Sequence, residues 1–570
     1  MVVTGTLMPL PLGEVDRSVS AIQLQEAPLL YDHWIDYLQS DPSVDYRRRA
    51  PNDVQGDVSI RGTSFGQTLI MVNGLRMDDA QSSHHDMDLP LPTESLSRIE
   101  ILRGPGSTFY GSDAMGGALN FITASPMRSE LRLRAGIGNF GINQQSASAS
   151  FSTKRWGEQL SVARDFSTGF ARDRDYRSLT LFSESEATTM LGHTSVMLAY
   201  GDKPYGADQF YGNFNSWERT KTWFAGLKQD LGSRTELDLG YRRHSDEFIL
   251  LRDRPQVYEN NHVTESWQVA LRRQEPIGKK ATLFYGGEGD HDAIDSNNLG
   301  QHARSRGAGY VDLDMRALGR FSLSVGAREE LFDSGRSQFS PTVAGGIWLK
   351  AGLKLRASAS SAFRLPTYTD LFYRDPANVG NPNLKPESAW NYEGGLQWNH
   401  GDWFKADITV FQLREQNVID YVQYLPGGLY HAANIQRLDF TGLETSVDMR
   451  IANAHRLTMG YTGLHGAQQA LNGLTSRYVF NYPINNGVVG WEGALPRKIL
   501  ARTRVGVTER FGRNPYAVWD VDFGRQFRRL GTSLSFSNLT DTRYQEIKGV
   551  ALPGRAVVFA VEYETARKVR

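Results

Sequence analysis

The chain has no cysteine, which removes disulfide scaffolds, Cys-ligated zinc and iron–sulfur clusters from consideration. A thiol-free chain also suits passage through an oxidising periplasm, and it offers no cysteine for a lipid anchor. Net charge is missing too, since 63 Lys and Arg balance 63 Asp and Glu. Nothing in that balance points to nucleic acid or to a basic membrane-surface protein. No run of about 18 apolar residues occurs, so a helical membrane span is not available. The N-terminus lacks the charged start and apolar core of an export signal, so the expectation is a signal peptide already removed or a trimmed start.

What is present is glycine, aromatic residues and alternation. The 570 residues include 56 Gly, 24 Tyr and 11 Trp, and the mean hydropathy is -0.43. Such a length would ordinarily mean several soluble domains, but one closed sheet can absorb several hundred residues. After Ser125-Pro126, Leu131, Leu133 and Ala135 alternate with charged or small residues. Similar segments follow at 179–182, 195–200, 235–241, 321–327, 353–359, 404–411 and 534–537. Turn clusters such as Gly232-Ser233-Arg234, Gly401-Asp402 and Arg513-Asn514-Pro515 separate them. In a membrane barrel lipid-facing and lumen-facing residues alternate, so low average hydropathy is compatible with membrane residence. A large secreted all-β protein fits the composition equally well.

Residues 15–126 have a different texture. A helical stretch is expected near Tyr31 to Leu38, and short apolar strands at 58–61, 68–72, 99–103 and 118–122. Glycines at 62, 74, 104, 106, 111, 116 and 117 punctuate it. A phosphate-cradling loop is a poor account of them, because no Gly-Lys-Ser/Thr follows and no βαβ unit surrounds it.

Three blocks in order, S-I-R-G-T (59–63), I-M-V-N-G-L-R (70–76) and R-I-E-I-L-R-G-P-G-S-T-F-Y-G-S-D-A-M-G-G-A-L-N-F-I-T (98–123), resemble the plug of TonB-dependent outer-membrane transporters, in particular their cobalamin-receptor branch. Downstream, F-R-L-P-T-Y-T-D-L-F-Y (363–373), G-N-P-N-L-K-P-E (380–387) and N-L-T-D-T-R-Y (538–544) look like barrel blocks of the same family, in the family order. Family members usually stop on a terminal aromatic, whereas Glu564 to Arg570 continue past Tyr563 here. The resemblance implies an all-β transmembrane barrel of about 22 antiparallel strands with an N-terminal α/β plug inside the lumen. It implies an N-terminal segment 1–14 with partial TonB-box character, a plug 15–126 and a barrel 127–570. Location in the bacterial outer membrane follows, among lipid and lipopolysaccharide, as a monomer without a nucleic-acid partner.

The implied function is proton-motive-force-energised uptake of a large scarce ligand, cobalamin or a related corrinoid. A ferric siderophore or haem is the alternative, and a passive porin or adhesin a remote one. No cofactor is implied. The TonB C-terminal domain is the implied periplasmic partner, reading Val2, Val3 and Thr4 as an added strand. The plug loops 50–57 and 78–89 are expected to face outward, with Asn52, Asp53, Gln55, Gln81, Ser83, His84, His85 and Asp86 as ligand-binding groups. Arg61 and Arg103 are expected to pair with barrel Glu393 and Glu444 and hold the plug.

Competing chemistry is weaker. His84-His85 with Asp86 and Asp88 lack the spacing of known zinc sites, so no metal is expected. Asp290, Asp292 and Asp295 do not match a calcium loop and read as solvated loop charge. Ser83, His84 and Asp86 are too close in sequence for a catalytic triad, and no G-x-S-x-G elbow occurs, so no enzyme is expected. Aromatic loops are expected at 201–215 and 421–431, where Tyr205, Phe210, Tyr211, Tyr421, Tyr424 and Tyr430 suit a ligand pocket or a membrane girdle equally.

Overall fold

The computed structural model describes residues 4, 10–425, 427–452, 454–468 and 474–565. The N-terminal part contains strands β1 (Val19–Gln23), β2 (Val44–Arg48), β3 (Gly56–Ile60), β4 (Thr68–Val72), β5 (Leu75–Arg76), β6 (Leu96–Arg103) and β7 (Gly117–Thr123). Short helices α1 (Trp34–Leu38) and α2 (Ser107–Tyr110) interrupt them. Five strands form one sheet in the order β1-β6-β7-β4-β5, and among the described residues β2 pairs only with β3. The run Thr-Leu-Ile-Met-Val of β4 is buried throughout, as an uninterrupted apolar strand must be when both faces are covered. It pairs in parallel with β7, Ile70 opposite Leu119. β1 and β2 carry too little alternation to be expected from sequence.

The apolar core of this sheet runs on into wall residues Phe182, Met197, Ala199 and Phe224. Trp34, Leu38, Ile60, Ile70, Val72 and Phe121 are among the fully buried residues of one cluster, and Trp34 meets Phe121 edge to face with centroids 5.1 Å apart. α1 starts under a capping box, in which His33 accepts from the Ile35 amide and Asp36 returns a bond to the His33 amide.

The wall starts at Glu130–Gly138 and closes where Ala556–Glu564 pairs with it antiparallel, Tyr563 opposite Leu133. Among the described residues it comprises 22 long antiparallel strands, with the two-residue strands Asn378–Val379 and Thr475–Ser476 added at its upper edge. Alternation sets the two faces. In His193–Asp208, Val196 and Leu198 point outward while Ser195, Met197 and Ala199 are buried inward. At the end where the plug enters, connections are short, as between Leu318 and Phe321. At the opposite end, 365–386 and 538–555 form long connections, which is the asymmetry of periplasmic turns and extracellular loops. No described helix is long and apolar enough to cross a membrane.

Candidate functional site: the plug–wall seam and the extracellular mouth

Between plug and wall, ion pairs alternate with apolar patches, such as Met115 of the plug against Phe411 and Phe440 of the wall. At the middle of the seam Arg61, completely buried, donates from Nη1 to Glu393 Oε2 at 2.7 Å. It also donates from Nε and Nη2 to the two oxygens of Glu444 at 3.0 and 2.8 Å. Two wall carboxylates thus share one plug cation, which also lies over the Phe411 ring at 4.1 Å. Burial lowers the basicity of the Arg61 guanidinium, and the two glutamates outweigh it, holding the group charged well above its ordinary range. Gly104 makes room for this arrangement: its φ is +82°, and a Cβ there would lie 2.7 Å from Arg61 Nη1.

Arg103 does not join this set. Its guanidinium is ion-paired with Asp41 and bonded to Ser43 and Ser20, all inside the plug. β6 runs beside β1, and its Arg103 end faces the 41–43 turn, so the nearest acid is a plug residue. The expected pairing of Arg103 with Glu393 or Glu444 is therefore corrected.

The loops expected to face outward are covered. The connection 365–386 folds over the 78–89 loop, where the Tyr368 and Thr369 amides donate to the carbonyls of Ala80 and Gln81 at 2.9 Å. Asn52 donates to Asp165 of the wall at 2.6 Å. Asp53 meets Lys203 of the wall at 3.0 Å and His33 at 3.4 Å. Burial pushes its carboxyl up, and those two cations outweigh it, leaving it well below the ordinary carboxylate range. Gln55 accepts from Arg49 at 3.0 Å, and Gln81 donates to Asp246 of the wall at 2.9 Å. His84 lies 2.8 Å from Asp57 and stacks on Phe65. Ser83 is half-buried at the start of a short turn. Asp86 accepts from the Asp79 amide at 2.7 Å, and burial, reinforced by Asp78, raises its carboxyl well above the ordinary range. Apart from Ser83, these groups are thus engaged by other plug residues or by the wall.

His85 and Asp88 meet a residue that sequence reasoning missed. His244, on the wall strand Thr235–Ile249, lies 3.0 Å from Asp88. The partner is 156 positions downstream, so no local spacing signals it.

Other expectations shift as well. Asp290, Asp292 and Asp295 lie in the strand Ala281–Ser296 and not on a loop. The first two face Arg306 and Arg304 at 3.3 Å. Residues 201–208 and 421–423 also continue strands. Tyr205 and Phe210 pack inward with Ala50 and Val54 of the plug, and Tyr211 packs against that cluster, so these three are not girdle residues. Tyr421 is buried against Leu384 and Ile419, with Tyr430 alongside, and Tyr424 is exposed. Val2 and Val3 lie outside the described residues. Thr4 donates through its amide and hydroxyl to Glu100 at 2.8 and 2.7 Å, which places it against the plug sheet.

At the extracellular end a cavity of ≈ 790 Å³ opens among wall strand ends and loops. Arg510, Arg513, Arg543 and Arg555 line it together with Tyr516 and Tyr544. Arg510 pairs with Asp45 of the plug at 2.5 Å, and Arg48 of the plug reaches Glu546 and Tyr544 at 2.8 Å. A narrower polar cleft of ≈ 150 Å³ continues from there between plug and wall toward Asp36, Arg502 and Asp522.

A closed 22-strand wall with a folded plug in its lumen defines an outer-membrane receptor of the plugged-barrel class. The sequence pattern described as TonB dependent receptor-like, beta-barrel, matches residues 138–558, and that of the TonB-dependent Receptor Plug Domain matches residues 12–118. The chain belongs to the TonB-dependent receptor family, whose members are transporters and receptors of the outer membrane. Its activity is TonB-dependent transport across that membrane. The vitamin B12 transporter BtuB of Photobacterium profundum is 26% identical over 480 residues, covering 78% of this chain and 75% of that one. The iron-regulated outer membrane virulence protein of Vibrio cholerae is 26% identical over 540 residues, covering 83% and 78%. The siderophore receptor PirA from Acinetobacter baumannii superposes with a TM-score of 0.78 at 14% identity, over 98% of this chain and 100% of that one, a likeness of fold.

Proposed function

We propose that this chain captures a large, scarce ligand at its extracellular mouth and releases it inward when TonB pulls the plug, with a corrinoid as the first reading of the cargo. The observation that carries the proposal is the mouth cavity, two of whose wall residues, Arg510 and Tyr544, also contact Asp45 and Arg48 of the plug. A ligand seated there touches both Arg510 of the wall and, through it, Asp45 of the plug. Likeness to a vitamin B12 transporter over most of the chain supports the corrinoid.

The seam explains why external work is needed. Moving the plug separates Arg61 from two glutamates and Asp53 from Lys203. Stranding one partner of a buried pair costs roughly 3 to 5 kcal/mol. The outer membrane holds no ATP and no sustained ion gradient, so that work arrives from the inner membrane through TonB. The segment around Val2, Val3 and Thr4 is the proposed handle, with Thr4 parked on Glu100 until it is drawn out. Arg61, Glu393 and Glu444 are the proposed latch.

A second reading is an anionic iron chelate, favoured by the four arginines of the mouth. Guanidinium groups with interleaved tyrosines suit chelates bearing carboxylate or catecholate oxygens. Calorimetric titration of the detergent-solubilised chain with cyanocobalamin and with ferric siderophores separates the two. Tight cobalamin binding, weakened by Tyr516→Ala, supports the first reading. Siderophore binding weakened by Arg513→Ala and Arg543→Ala moves the cargo to the second. Failure of both ligand classes on folded protein would contradict the proposal.

A further inference from the structure

We propose that plug and wall share a divalent transition-metal site, with zinc best matching its donors, formed by His85 and Asp88 of the plug and His244 of the wall. The three donor atoms lie within 4.8 Å of one another and all three residues are buried. Asp88 Oδ2 stands 3.0 Å from His244 Nε2 and 3.5 Å from His85 Nδ1. Tetrahedral zinc with bonds of about 2.0–2.1 Å places its ligand atoms roughly 3.3 Å apart. The two observed edges bracket that value before any side chain moves.

Each imidazole is also held from behind. His85 Nε2 is 3.4 Å from Asp246 Oδ2, and His244 Nδ1 is 2.8 Å from Asp79 Oδ2. A carboxylate beside the far nitrogen is the environment in which metal-ligating imidazoles are oriented. Asp79 is in turn held by Arg242 at 2.6 Å. His85 Nδ1 and His244 Nδ1 are both buried without a hydrogen bond, and His85 Nδ1 faces Asp88 Oδ2 across the cluster at 3.5 Å.

The nearest competing cation is Lys203, which approaches the other oxygen of Asp88 at 3.7 Å and is engaged with Asp53 at 3.0 Å. Asp88 Oδ2 is left to the imidazoles. A second grouping, His85 with Glu218 and Asp246, uses the opposite nitrogen and offers only one nitrogen donor. Two nitrogens and one carboxylate suit zinc better, and three protein ligands leave a fourth coordination position. An ion there ties the 78–89 loop to the wall. It binds only the assembled seam, so it raises the resistance of the plug to release.

The test uses the untagged full chain in detergent, stripped with chelator and titrated with zinc by calorimetry, with metal content measured after desalting. Cobalt(II) replaces zinc in a parallel sample, where a four-coordinate site gives an intense visible absorption. The expected result is one ion per chain, at least tenfold weaker binding in both His85→Ala and His244→Ala, and unchanged binding in His193→Ala at the far rim. Heat-modifiable gel migration checks that each barrel is folded, and Asp88→Asn gives a third, less disruptive variant. No zinc uptake by the stripped, folded chain, or uptake that survives both histidine substitutions, would overturn the site and leave a metal-free ion-pair cluster.

Discussion

The inside of the plug is apolar, whereas its outer surface mixes ion pairs with apolar patches that meet the wall. Around Ile70, Val72, Ile101 and Phe121 the plug is dry and apolar, held by burial that no single contact dominates. Facing the wall, it presents Arg61, Asp53, Arg48 and Asp79, each paired with a charged wall group. Apolar cohesion keeps the plug one body, whereas ionic pairing is directional and fails once geometry is lost. Under the proposed mechanism, a force applied at the N-terminus is expected to part the ion pairs of the seam before the core. This arrangement supports the proposal that the plug moves as a unit before it unfolds.

The sharpest way to break the comparison is to empty the seam. Arg61→Ala strands Glu393 and Glu444, and plug release in urea, followed by protease access to residues 56–76, is expected to become easier by roughly 3 to 5 kcal/mol while the wall midpoint stays unchanged. Next in size is Arg103→Ala, which removes a pair inside the plug. A loss of roughly 1 to 3 kcal/mol is expected in the same assay, with enhanced cleavage around the 41–43 turn and not at the seam. Ile70→Val takes one methylene from the core and is expected to cost about 0.5–1.5 kcal/mol, measured by the same urea midpoint. Glu26→Gln is the smallest: its partners Arg450 and Arg456 stand 3.3 Å away at an exposed rim, and a change under about 1 kcal/mol is expected.

Much of this architecture is legible in the chain. Alternation in 195–200 and 235–241 marks wall strands because a strand with lipid on one face and a polar lumen on the other must alternate. β4 reads as a strand from its apolar run, and the family resemblance points Arg61 at Glu393 and Glu444, both of which its guanidinium contacts. The coverage of the 78–89 loop is not legible, since the covering segment comes from 365–386 in the wall. His244 is hidden for the same reason: its partners are set by how the plug docks, which no local spacing encodes. Arg103 sits in a motif block like Arg61, yet its partner depends on the packing of β1 and the 41–43 turn beside β6. Motif position alone thus does not distinguish a seam arginine from a plug-internal one.

The central claim is that the seam yields separately from the core. Hydrogen exchange on the Arg61→Ala chain, compared segment by segment with the unsubstituted protein, tests it most directly. The account predicts faster exchange in β2 and β3 and in the wall around Glu393, with β4 and β7 still protected. Equal acceleration in β4 and β7 would mean that the plug loosens throughout, and would contradict a rigid plug behind a breakable seam.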